Sequence, residues 1–421
     1  MTQMDFRQLQ SAVAGNAAAI RHIVRLLPAG GQGSKVFPPT HSGGVYAWEK
    51  RRIAEDKIVP TVLLDSVQSQ ANRMEQALLE AHRAGRLKLP LLQIDFTDDF
   101  PDTGVITTLD APHRIADAIF RESLIGEAKF RESDVGMKFI ASTNRNATGL
   151  FEYCPHALIF GVWDSTGAGG GQGNKFQRAV VSEIVGIQAE RGVRTSSRID
   201  PLIRSNRPIY QTTNGDWTAN PEEAKKDDEN QPIRYGKKLS ELNLGNVTPD
   251  LVRYTPKNRR SLRTMYEEIG VGEVLPGGVT LDYAIQTTVL SLPALRRLRF
   301  PINGADSPEL NNAARTVLAS LALAGICHMQ EQGYDLRSRC LLIPQGNNPF
   351  ELIANDGTVN TFELNARTAD EIFAQAVTKA KQLGLPWHDE PITLVPGENL
   401  VEAARRGREA KAVEEESVEE E

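Results

Sequence analysis

The sequence has little cysteine. Cys154, Cys327 and Cys340 are the only three in 421 residues, and no two stand in a CxxC spacing. That excludes a disulfide framework and a cysteine-based zinc site, and it fits three small buried hydrophobes in a reducing compartment. Long apolar runs are missing as well. No stretch approaches the roughly 18 to 20 apolar residues of a membrane span. The leading MTQMDFRQLQ lacks the basic-then-apolar layout of a signal peptide, so the expected location is the cytoplasm and no membrane partner is expected. Nucleotide-binding signatures are incomplete. In the glycine-rich segment WDSTGAGGGQGNKFQR, Asn174 intervenes between Gly173 and Lys175, and Phe176 stands where a P-loop needs Ser or Thr for magnesium. The dinucleotide pattern GxGxxG fails too, because Gln172 occupies its last position.

What is present is enough for a sizeable core: 40% hydrophobic and 24% charged residues suit one large or two ordinary domains. The net charge of −6 equals the six glutamates of AVEEESVEEE at 412–421, so the rest of the chain is neutral. A like-charged run of that kind is expected to be disordered. Basic residues cluster at Lys50-Arg51-Arg52, at Lys257 with Arg259, Arg260 and Arg263, and at Arg296-Arg297 with Arg299. Such clusters suit phosphates as well as plain solvation.

The periodicities predict a mixed chain. Ile20 to Leu27 reads as a strand. Val67, Ala71, Met74, Leu78 and Ala81 form one apolar helical stripe, with Asp65 and Gln68 as its start and Gly85 as its stop. Leu87 to Phe96, Ala157 to Trp163 and Val180 to Ala189 have strand composition, and Asp110 is placed to cap a short helix through Glu122. From 204 to 276 the chain turns polar and rich in Pro, Asn and Gly, as an inserted subdomain or arm would. Ser307-Pro308 opens a long helix with Leu310, Ala314, Val317, Leu321 and Ala324 on one face. Asp356-Gly357 marks a hairpin, and Thr368 with Glu371 suggests a capping box. The fold class expected is α+β, an antiparallel sheet backed by helices.

Candidate chemistry concentrates in the glycine-rich segment. Gly167, Gly169, Gly170, Gly171 and Gly173 allow backbone N–H groups to converge on an anion, and Lys175 and Arg178 can complete a phosphate site. The residues alone leave a phosphate-backbone contact and a merely flexible turn both open. Asp95, Asp98, Asp99 and Asp102 match no calcium loop and read as turn chemistry. His113 is a single histidine without an identifiable partner, which leaves a ribonuclease general base as the alternative to a structural or phosphate-contacting role. No catalytic residue, metal or cofactor is expected.

The segments FPPTHSGG (37–44), VPTVLLDSVQSQANRMEQALL (59–79), LDAPHRIADAI (109–119), FEYCPHALIFGVWDSTG (151–167), KFQRAVVSEIVGI (175–187), VRTSSRIDPL (193–202), LNLGNV (242–247) and GGVTLDYAIQTTVLSLPALRRLRFP (277–301) occur in order over about 17–305. In this series the chain resembles the type I-G (formerly I-U) CRISPR-associated RAMP proteins of the Cas-seven group, the repeated backbone subunit of a Cascade-type effector complex. The resemblance implies a modified RRM or ferredoxin-like palm with inserted finger and thumb elements. On that reading 1–203 is palm with the finger, 204–276 the thumb-like insertion, 277–400 the rest of the palm, and 401–421 a disordered acidic tail. It implies a non-catalytic protein that oligomerises head to tail along a guide RNA (crRNA) and presents it to target DNA in antiviral defence. Other Cascade subunits and a recruited helicase-nuclease would be its further partners. RNA contacts are then expected from the glycine loop, Lys175 and Arg178, from Arg194, Arg198, Arg296, Arg297 and Arg299, and from Gln68, Asn72, Arg73, His113 and Arg114. One departure is the lack of an RNP1-like aromatic run, which argues against base stacking on the sheet.

Overall fold

The computed structural model describes residues 2–42, 44–166, 175–203, 206–252 and 274–420, with the backbone alone over 411–420. Gly167, Gly169, Gly170, Gly171 and Gly173, and the cluster of Lys257, Arg259, Arg260 and Arg263, lie outside the described residues. The chain forms two compact units. Met1–Pro39, Trp48–Ala189 and Leu281–Ala403 make the first, and Thr40–Ala47, Glu190–Thr280 and Ala404–Glu421 the second.

The first unit is mixed α+β, a large antiparallel-dominated sheet backed by helices. Among its strands, in chain order, are β1 (Thr2–Gln3), β2 (Ala17–Pro28), β3 (Trp48–Ala54), β4 (Lys57–Asp65), β5 (Val162–Trp163), β6 (Lys175–Phe176), β7 (Val180–Ile187), β8 (Tyr283–Ser291), β9 (Leu341–Pro344), β10 (Phe350–Ala354) and β11 (Val359–Glu363). The main sheet runs β1-β11-β10-β2-β8-β7-β4-β3, with β9 paired onto the end of β2; only the β1–β11 pair is parallel. Strand β8 alternates strictly, with Ala284, Gln286, Thr288 and Leu290 buried and the residues between them half-buried, as expected of a central strand with one face on a core. Gly357 closes the β10–β11 hairpin at φ +87°, a conformation that costs glycine nothing.

Among its helices are α1 (Phe6–Ala14), α2 (Val67–Arg83), α3 (Pro308–Glu331) and α4 (Ala366–Gln382). Helix α3 starts at the Ser307 cap, as the sequence suggests, but it is not one-faced. It is buried without a break from Ala313 to Met329, because α1, α2 and α4 all pack on it. By length and composition α3 could cross a membrane, contrary to the reading that no run approaches that length, yet 89% of its most apolar window is buried inside the fold. Helix α2 is capped by Ser66, not by Asp65: Ser66 Oγ accepts from the Ser69 N–H. The fully buried Asp65 carboxylate instead holds Arg73, Arg337, Ser69 and Gln70. Gln70 ties α2 to the sheet, its Oε1 accepting from Ser182 Oγ at 3.0 Å and from Gln286 Nε2 at 2.7 Å.

Local expectations shift elsewhere as well. Ala157–Phe160 is a turn of helix, with the strand confined to β5. Only Leu92–Asp95 of the 87–96 segment is a strand. Asp117, not Asp110, caps the turn Ala118–Arg121, while Asp110 accepts from Thr107. Asn365 rather than Thr368 caps α4. The three cysteines are free and buried, and burial pushes the Cys154 thiol up to about 12.

The second unit contains three antiparallel pairs: Glu190–Val193 with Pro276–Thr280, Thr195–Arg198 with Val247–Leu251, and Tyr210–Gln211 with Trp217–Thr218. The Tyr46 hydroxyl accepts from the Gly278 N–H at 2.9 Å. The polar stretch 204–276 falls inside this unit. Where the sequence suggests an unstructured tail, the backbone is helical over α5 (Glu398–Glu420). Glu and Ala are strong helix formers, and like charge alone does not remove that preference.

Candidate nucleic-acid interface

An open cleft of about 760 Å³ in the first unit is lined by the exposed edge of α2, the 112–121 segment and the β5–β6 ribbon. It brings together Gln68, Asn72, His113, Arg114, Lys175 and Arg178, six residues up to 110 positions apart that the sequence reading names separately.

The ribbon supplies one wall. Trp163 pairs across from Lys175 and Val162 from Phe176, so alternate side chains share a face: Phe176 and Val162 are buried, whereas Lys175 and Trp163 are exposed. Lys175 Nζ stands 5.6 Å from the centre of the Trp163 ring, within cation–π range. Behind the ribbon, Gly161 has φ +85°, and a Cβ there would meet Arg178 Cγ at 3.0 Å and the Phe176 carbonyl oxygen at 3.1 Å. Glycine is therefore required both by the turn and by the close approach of Arg178.

Arg178 is held in place before any ligand arrives. Its Nε donates to the Phe160 carbonyl at 3.2 Å and its Nη2 to Gln68 Oε1. Gln68 Nε2 in turn donates to Asn72 Oδ1 at 3.0 Å, one helical turn along α2. The polar row Arg178-Gln68-Asn72 thus offers a cation and two amides along one side of the cleft. His113 is exposed, and its ring has no hydrogen-bond partner among the described residues.

The remaining expected contacts divide. Arg114 is 5% exposed and forms a bidentate pair with Glu75 at 2.5 and 2.8 Å, while its Nη1 donates to the Gly161 carbonyl at 2.9 Å. It braces the wall and is not a surface cation. Burial pushes the Glu75 carboxyl upward and the Arg114 charge pulls it back. Arg73 is occupied by Asp65 and by the Leu336 carbonyl at 2.6 Å. Arg296 donates to the carbonyls of Ala12, Val13 and Ala17, satisfying the open end of α1. These three guanidiniums are engaged with protein partners in this fold, as Arg178 is in part. Arg297 reaches the rim through Gln177 at 2.8 Å, and Arg299 is exposed. Arg194 is exposed and Arg198 donates to the Gly245 carbonyl at 2.9 Å, both in the second unit.

Sequence reasoning passes over two features. Trp163 is 54% exposed beside the cations, and its signal is a tryptophan at the mouth of a glycine-rich loop. Arg131 is the other: it binds the buried Asp164 at 2.8 and 2.9 Å and donates to the Thr166 carbonyl at 2.9 Å, fixing the segment after Trp163. Nothing in the spacing of these residues gives that contact.

Residues 20–191 match the family model described as CRISPR-associated protein GSU0053. The match indicates a CRISPR-associated protein, and it encloses every residue lining the cleft. No curated protein matches the chain.

Proposed function

We propose that this protein is a non-catalytic guide-RNA-binding subunit of a type I CRISPR effector, of which several copies stack head to tail along the guide in the cytoplasm and present it to target DNA. The observation that carries this reading is the family match over 20–191, and the cleft inside that span supports it. A subunit that must accept any guide sequence needs contacts to phosphate and 2′-OH groups and must leave the Watson–Crick edges free. Lys175 and Arg178 are suited to phosphates, and Gln68 and Asn72 to the sugar. The type I-G assignment, the finger and thumb roles of the insertions, and the partnership with other Cascade subunits and a helicase-nuclease rest on the resemblance in sequence.

The test is a salt titration of guide binding by folded protein, with two guides of different composition. Replacing both Lys175 and Arg178 by Ala is expected to weaken both guides alike, since phosphates carry no sequence information. The slope of log affinity on log salt should become shallower by about 0.7 for each phosphate no longer neutralised. Wild-type protein with RNA and magnesium is expected to yield no cleavage products. Failure of the wild type to bind RNA would overturn the reading, and cleavage that vanishes in His113→Ala would replace it with a ribonuclease.

A further inference from the structure

We propose that Trp163 is a stacking platform for one base of a single-stranded nucleic acid lying in the cleft; this deepens the RNA reading above and rests on it. An indole left 54% exposed forgoes burial that such a large ring would ordinarily gain. Its setting says what covers it. The cleft around it is mixed: Lys175, Arg178, Arg121, Gln68 and Asn72 supply cations and amides, beside apolar surface from Pro112, Ala116 and Ala118. An apolar protein segment would desolvate the cations with no opposite charge in return, whereas a nucleotide matches the mixture: a flat π-face for the ring and, one sugar away, an anion for the cations.

The platform is also rigid. Trp163 is fixed through its backbone pairing with Lys175 on one side. On the other, Asp164 is 4% exposed and is held by Arg131, while the Thr166 N–H and hydroxyl both donate to Asp164 Oδ1, at 3.0 and 2.9 Å. The acidic neighbour, which also lines the cleft, is thus paired with Arg131, and the ring stands on a segment that needs little ordering when a base arrives. A base on Trp163 lies off the main sheet, so the absence of an RNP1-like aromatic run does not bear on it.

The experiment compares full-length wild type, Trp163→Ala and Trp163→Phe. The probes are a single-stranded RNA and an abasic ribose-phosphate oligomer of the same length and charge. Trp163→Ala is expected to weaken the RNA by roughly 5- to 150-fold, the range for removing the support of one stacked base, with Trp163→Phe recovering most of it. The abasic oligomer should bind wild type and Trp163→Ala alike, and the salt slope for RNA should be unchanged, because the substitution leaves every phosphate neutralised as before. RNA binding by Trp163→Ala at the wild-type level overturns the platform and leaves the RNA-binding reading standing. Equal weakening of RNA and abasic oligomer also overturns it, since the ring would then act only by placing Lys175. Wild-type protein that binds no RNA takes down the reading beneath it, a result distinct from either.

Discussion

His156 is enclosed on every side, with Nε2 3.2 Å from the Thr108 carbonyl oxygen and 3.2 Å from the Cys154 thiol. Burial, with the nearby Arg114 charge adding to it, lowers its pKa to about 3. The folded protein therefore keeps this ring neutral at a pH where the unfolded chain, near the ordinary 6.5, takes up a proton. Stability is lost as pH falls below that value, by about 2 kcal/mol between pH 7 and pH 5 if this group acts alone. Burial shifts His22 in the same direction. The denaturation midpoint is expected to drop over that range, and His156→Gln should flatten the drop while lowering stability at pH 7; an equal pH slope in the variant would exclude His156 as its source. Such residues mark the limit of reading a sequence. Lys175, Arg73, Arg114 and Arg296 look alike as cations in a string of letters. Three of them are held by carboxylates or carbonyls from distant elements, and only the fold tells them from the one that faces the cleft.

At the level of elements, periodicity carries far where an element is long. Helices α2 and α3 and the β10–β11 hairpin were legible, since amphipathic spacing and Asp-Gly turn chemistry are local. Short pieces were not. The run Ala157–Phe160 is apolar and only one turn long, so its composition cannot separate helix from strand. The cap of α2 moved by one residue because the expected carboxylate, Asp65, is taken by tertiary partners. The candidate site was legible as residue types and not as a place, because its walls come together through tertiary contacts: Gln70 to the sheet, Arg114 to Glu75 and Gly161, and Arg178 to Gln68. Gly161 offers a test at this scale. Gly161→Val forces a β-branched residue to φ +85° against Arg178 and the Phe176 carbonyl. It is expected to cost about 1 to 3 kcal/mol. A urea midpoint shifted down at constant m-value would register it, and an unchanged midpoint would mean that the turn relaxes freely.

Across the whole molecule, charge is distributed in sequence more unevenly than the total suggests. Residues 412–421 hold all of the net −6. A segment so composed adds little apolar burial, so its removal is expected to change stability by less than about 0.5 kcal/mol, the usual range for surface changes. Guide binding should be retained. Thermal melts and RNA titration of a chain ending at Lys411 check this, and loss of either property would show that the tail docks.

The order of strands in the main sheet sets a timetable for the newborn chain. Strand β2 lies between β8 and β10, so residues 17–28 have no sheet partner until position 283 has been synthesised. At about 5 to 20 residues per second that delay is roughly 10 to 50 s, during which an apolar strand edge leaves the ribosome unpaired. Helix α3, the piece around which the other helices gather, is made later still. The first unit therefore completes its folding only near the end of translation, and in the cell its yield depends on whatever shields β2 during that interval.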